Sequence, residues 1–104
     1  MTLKIAIECE KIAAFGQRWQ ITELAFFGSV LRDDFRSDSD VDVLVTFAPG
    51  VEWGLFDHMT MEEELSVILG RKVDLISRRA IERSSNSIRR KAILETAEPF
   101  YAAR

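Results

Sequence analysis

Apolar residues recur along this chain in two rhythms. Near the start, Ile5, Cys9, Ile12 and Trp19 share one stripe at helical spacing, which predicts a helix over residues 2–17 and gives Cys9 a packing role. Residues 21–27 form an almost continuous apolar run that stops at Gly28 and reads as a strand. A short helix is expected near residues 30–35. Strict alternation follows over residues 41–47, with Val41, Val43, Val45 and Phe47 on one face and Asp40, Asp42, Leu44 and Thr46 on the other. After the Pro49-Gly50 loop, Met61, Leu65 and Ile68 mark the buried stripe of a helix over residues 55–69, closed by Gly70 at its C′ position. Residues 72–76 alternate again. A last helix over residues 84–97 takes Ser84, Ser85 or Asn86 as its cap and ends before Pro99. This order predicts the α/β (α+β) class, a small mixed β-sheet with helices packed on one side. No repeat, low-complexity segment or linker divides the 104 residues, so 1–104 is expected to be a single domain. At that length it has no room for separate template-binding domains, which excludes a processive template-copying enzyme.

The chemistry concentrates where the alternating run begins. Asp40 and Asp42 stand two apart, and in an extended strand such residues point the same way with Cα atoms roughly 6.6 Å apart. Both carboxylates can then serve one metal site. Hard cations such as Mg²⁺ take oxygen ligands, and nucleotidyl transfer employs a pair of such ions about 3.5–4 Å apart. A lone Asp-x-Asp is common in solvated turns; the setting of this one distinguishes it. The preceding apolar strand delivers Gly28-Ser29, a turn whose hydroxyl and backbone N–H groups, at the head of a short helix, favour phosphate. The bland alternative is a turn and nothing more. Asp74 lies in the middle of an apolar strand, where burial demands a partner. Either a metal shared with Asp40 and Asp42 or a salt bridge to Arg71 or Arg78 meets that demand.

Gly28, Ser29, Asp40 and Asp42, with Arg32 three residues after the serine and Ser39 before the first aspartate, form a pattern that resembles the signature of the DNA polymerase β-like nucleotidyltransferase superfamily. The segment Gly-Arg-Lys-Val-Asp-Leu-Ile at 70–76 and the tail Ile-Leu-Glu-Thr-Ala at 93–97 resemble those of its smallest members, the minimal nucleotidyltransferase (MNT) proteins. These are typically antitoxins paired with a HEPN-domain toxin. The resemblance implies the palm-like nucleotidyltransferase fold and an ATP- and Mg²⁺-dependent transfer of AMP to a hydroxyl, a tyrosine of the toxin, in a hetero-oligomer with that toxin. It implies that Asp40, Asp42 and Asp74 hold two Mg²⁺ ions, with Asp74 near the nucleophile, and that Gly28, Ser29, Arg32 and Ser39 bind the nucleotide. One departure stands out: Asp33 occupies a position where the family commonly has glycine. Rival readings are a catalytically idle MNT fold that neutralises a toxin by covering it, and transfer to a small molecule, which usually requires a further acceptor domain.

Composition narrows the setting. A single cysteine permits no internal disulfide, and no apolar run spans a bilayer, so the cytoplasm is expected and no membrane partner. The formal net charge of -3 conceals a division: residues 71–104 carry nine Lys and Arg against four acids, a net +5, leaving -8 on residues 1–70. The basic third suits triphosphate or an acidic protein surface. It lacks the interleaved aromatics that stack nucleic-acid bases, so nucleic acid is not expected as a direct partner. Arg89, Arg90 and Lys91 read equally well as a solvated helix face. His58 is expected at the surface or at a helix cap, Glu62-Glu63-Glu64 on a solvated face, and Trp53, Phe56 and Tyr101 in the core.

Overall fold

The computed structural model describes residues 8–28 and 40–103. The expected short helix at 30–35 lies outside these residues. Helix α1 spans Cys9–Arg18, strand β1 Ile21–Phe27, β2 Val41–Phe47, helix α2 Leu55–Leu69, β3 Val73–Ser77, helices α3 Arg78–Glu82 and α4 Ser87–Thr96, and strand β4 Glu98–Ala102. The sheet runs β3-β2-β1-β4. β1 pairs antiparallel with both β2 and β4, whereas β2 and β3 are parallel, so the sheet is mixed. The parallel pair needs a crossover, and α2 supplies it.

Alternation in the two central strands sorts side chains onto two faces. Leu24, Phe26, Val41, Val43 and Val45 are fully buried against Ile12, Phe15 and Trp19 of α1 and Met61, Leu65 and Leu69 of α2. Ala25, Phe27 and Leu44 point the other way, onto Ile81 of α3 and Ile93 of α4. Helices therefore cover both faces, in contrast to the one-sided packing expected. The reason lies in the last helical region, which is broken in two. Ser77 caps α3 by accepting from the Ala80 N–H at 3.1 Å, and Asn86 caps α4 by accepting from the Arg89 N–H at 3.0 Å. The break lets the chain fold back across the second face.

The sequence pattern missed two of these elements, α3 and β4. Pro99 reads as a helix terminator, yet it sits opposite Ala25 at a register shift on an edge strand, the setting in which a missing N–H is tolerated. Phe100 stacks on Phe26 with ring centroids 4.0 Å apart, and Tyr101 lies against Gly16 of α1. Gly70 ends α2 in the left-handed region, φ 69°, as its position predicts.

Three further expectations are corrected. The Cys9 side chain is exposed and does not pack. Phe56 is 82% exposed, while Trp53 and Tyr101 do join the core. The glutamate run is only partly solvated: Glu64 accepts from the Trp19 indole at 3.1 Å, and Glu62 accepts from the Leu75 N–H at 2.8 Å. Glu62 belongs to a polar stripe of α2 spaced by one helical turn, His58, Glu62 and Ser66, that faces the outer edge of β3. His58 Nε2 donates to the Leu75 carbonyl at 2.7 Å, and the Val73 N–H donates to Ser66 Oγ at 3.0 Å. His58 is a structural residue. No helix among the described residues is long and apolar enough to cross a membrane.

Candidate functional site

The site is a product of strand register. In β2 the valines are committed to the core, so Asp42 must project from the opposite face, with Asp40 two residues before it in the same sense. The parallel register sets Asp42 directly against Asp74 of β3. Hydrogen-bonded neighbours of this kind are about 4.8 Å apart, so two carboxylates share one small area of sheet surface. The antiparallel register sets Phe27 against Asp42, and β1 ends there, with Gly28 the next residue. Gly28 has φ +74°, and any Cβ there would collide with the Asp42 carboxylate. The backbone angle favours glycine, and the missing Cβ leaves room for the carboxylate. The turn leaving β1 thus presses its backbone onto the side chain that the strand pattern had singled out.

Electrostatics record the crowding. Burial raises the Asp42 pKa above its ordinary 3.8, and the charges of Asp74 and Asp40 raise it further, while Arg89 opposes them. Two carboxylates and one guanidinium therefore act on Asp42. Asp40 and Asp74 are exposed and Asp42 half-buried, so the cluster opens to solvent. The exposure of Asp74 corrects one step of the sequence argument. It needs no partner to offset burial, because β3 is an edge strand and Asp74 is exposed on it. Arg78, a suggested salt-bridge partner, lies 3.7 Å from Glu23 and 3.3 Å from Glu82 instead.

The donors suit a hard divalent ion, because they are oxygens only and their mutual repulsion is what a cation relieves. Among the described residues, no three carboxylate, imidazole or thiolate side chains close around a single point at metal-binding distance. That is compatible with Mg²⁺, which is held through one or two carboxylates and completes its octahedron with water and substrate phosphate. Of the expected site residues, Gly28, Asp40, Asp42 and Asp74 are brought together. Ser29, Arg32 and Ser39, and the divergent Asp33, lie outside the described residues.

Arg89 is the participant that sequence reasoning did not single out. A signal was present: Arg89 precedes Ile93 by one helical turn, so the two share a face of α4. Which face of the sheet α4 would cover, however, is information that no local pattern contains.

A family model described as "nucleotidyltransferase domain" matches residues 8–97. The protein adenylyltransferase MntA of Thermococcus cleftensis is 35% identical over 66 residues, a match covering 64% of this chain and 65% of that protein. The chain thus spans about two-thirds of the length of that relative. MJ1215 of Methanocaldococcus jannaschii, a candidate protein adenylyltransferase, is 32% identical over 65 residues, 62% of this chain and 73% of that protein. Among solved structures, one of a candidate minimal nucleotidyltransferase superposes with a TM-score of 0.66 at 33% identity, covering 88% of this chain and 87% of that one. A toxin-antitoxin structure with AMP-PNP superposes with a TM-score of 0.68 at 16% identity over 91% of this chain and 73% of that one, a likeness of fold.

Proposed function

The chain belongs to the nucleotidyltransferase domain family, and from that premise we propose that it transfers AMP from ATP to a hydroxyl of a partner protein. The observation that carries this reading is the register that sets Asp42 against Asp74 while pinning Gly28 to Asp42. A binding module gains nothing from like charges gathered at neighbouring strand positions. A phosphoryl-transfer site needs them.

Asp40, Asp42 and Asp74 would hold Mg²⁺, two ions in this reading, which supply charge neutralisation and polarise the α-phosphate. Gly28 lets the backbone approach the substrate, and Ser29, Arg32 and Ser39 are assigned to the triphosphate. Asp74, exposed on the edge strand β3, is assigned to orient an incoming hydroxyl or to take its proton. In-line attack by that hydroxyl on the α-phosphorus forms the new O–P bond and breaks the bond to the bridging oxygen, and pyrophosphate leaves. Names borne by the relatives and solved structures support an adenylylated toxin as acceptor. Within this reading the acceptor is a tyrosine of a HEPN-domain toxin, the two proteins form a hetero-oligomer, residues 1–104 act as one domain, and the compartment is the cytoplasm.

The deciding experiment incubates the chain with its cognate toxin, ATP and Mg²⁺, then measures the intact mass of the toxin. Discrete AMP increments are expected, absent with EDTA or with the Asp40→Asn, Asp42→Asn pair. A toxin repurified under denaturing conditions and refolded should remain inactive, because a covalent mark outlasts separation. An unmodified, active toxin that the double variant neutralises as well as wild type does would establish the rival, neutralisation by binding alone.

A further inference from the structure

We propose that Arg89 of α4 is a substrate-binding residue that takes a phosphate group of the nucleotide beside Asp42 and Asp74. This rests on the nucleotidyltransferase reading and adds to it a ligand from an element that the Gly-Ser and Asp-x-Asp pattern does not include. The placement follows from one shared hydrophobic cluster. On the sheet, Asp42 and Leu44 lie two apart in β2 and share a face. On the helix, Arg89 and Ile93 lie four apart and share a face. Ile93 is buried in one cluster with Leu44 and Phe27, which anchors α4 over that face of the sheet. One helical turn from that anchor is Arg89, and Phe27, in the same cluster, is paired directly with Asp42.

The position is fixed as well as directed. Asn86 caps α4 and accepts from the backbone N–H of Arg89 itself, so the residue sits in an ordered first turn. Its side chain is exposed, with the reach of a long, permanently charged stem. The neighbouring Arg90 is otherwise engaged, donating to the Ser84 carbonyl at 2.6 Å. That the Arg89 charge is felt at Asp42, against the two aspartates, agrees with this placement. A guanidinium whose charge reaches carboxylates assigned to a cation is poorly used as their permanent partner, since it would compete with the metal. Once the metal is in place its charge is available, and a planar donor fork matched to phosphate oxygens is what arrives with the nucleotide.

The test is equilibrium binding of Mg²⁺-ATP to the intact chain, with Mg²⁺ binding alone measured in parallel, for wild type, Arg89→Ala, Arg89→Lys and Lys91→Ala. Losing one charge-assisted contact should weaken nucleotide affinity on the order of 10-fold in Arg89→Ala, with partial recovery in Arg89→Lys. Lys91→Ala, which removes an exposed charge from the same helix, should bind like wild type. Mg²⁺ affinity without nucleotide should be unchanged or tighter in Arg89→Ala. Arg89→Ala binding Mg²⁺-ATP as wild type does would overturn the assignment, as would an equal loss in Lys91→Ala, which would mark a diffuse field. Wild type that binds no Mg²⁺-ATP would overturn the nucleotidyltransferase reading as well, so the two failures are distinguishable.

Discussion

Asp42 concentrates the conflict between folding and chemistry in one side chain. Half-buried, opposite one aspartate and two residues from another, it destabilises the fold when ionised. Its folded pKa lies above the ordinary 3.8, so between those values the folded state binds more protons than the unfolded one. Stability therefore falls as pH rises through that window. Asp42→Asn should raise apo stability at neutral pH by about 0.5 kcal/mol, a figure discounted for partial exposure. It should also flatten the pH profile above 3.8, while abolishing nucleotidyl transfer. Urea melts across that range in metal-free buffer check this; a variant less stable than wild type at neutral pH sinks the account. At this scale the sequence was legible where a local rule decides. Two-residue periodicity put Asp40 and Asp42 together, and Gly28 marked the turn. Asp74 was found by a faulty step, since a strand pattern does not reveal whether a strand lies at an edge. Arg89 was not distinguished from Arg90 and Lys91, because periodicity shows which residues share a helix face without showing what that face meets.

Among elements, α2 does two jobs on two stripes. Met61, Leu65 and Leu69 fill the core, the part that apolar spacing announces. His58, Glu62 and Ser66 close the open edge of β3, satisfying backbone groups that would otherwise invite another strand. The glutamate run looked like a solvated face because a side-chain acceptor for a distant N–H has no local signature. Its members should therefore differ in a way that sequence does not suggest. Glu62→Ala strands the Leu75 N–H and should cost about 1–2 kcal/mol, whereas Glu63→Ala, on the exposed side, should stay within about 0.5 kcal/mol. Denaturant unfolding gives both values, and faster amide exchange at Leu75 in Glu62→Ala locates the effect. Equal costs would reject the edge-closing role. β4 was illegible for a related reason. Its pairing with β1 joins residues far apart in sequence, and Pro99 is a stop signal for a helix as much as a tolerated member of an edge strand.

Across the whole molecule, the division of charge acquires a geometry. The acidic part supplies Asp40 and Asp42, the basic C-terminal third supplies Asp74 and Arg89, and their charges converge on Asp42. A site assembled from strands β2 and β3 and the helix α4 is organised only when the chain is folded, so ligands that bind it must stabilise the fold as a unit. Mg²⁺ and ATP added together at about 100 times their apparent Kd should raise unfolding stability by about 2.7 kcal/mol. Either one alone should do less, because the metal needs phosphate oxygens to complete its shell and the triphosphate needs the metal to approach three carboxylates. The Asp40→Asn, Asp42→Asn pair should lose this gain while starting from an apo state at least as stable as wild type, since it lacks the repulsion. That pairing of outcomes separates a damaged fold, which would lower both values, from a damaged site. Thermal melts of both proteins with each ligand and with the two combined make the measurement. A double variant that gains as much as wild type would mean that the ligands bind elsewhere, and the carboxylate site would lose its assigned role.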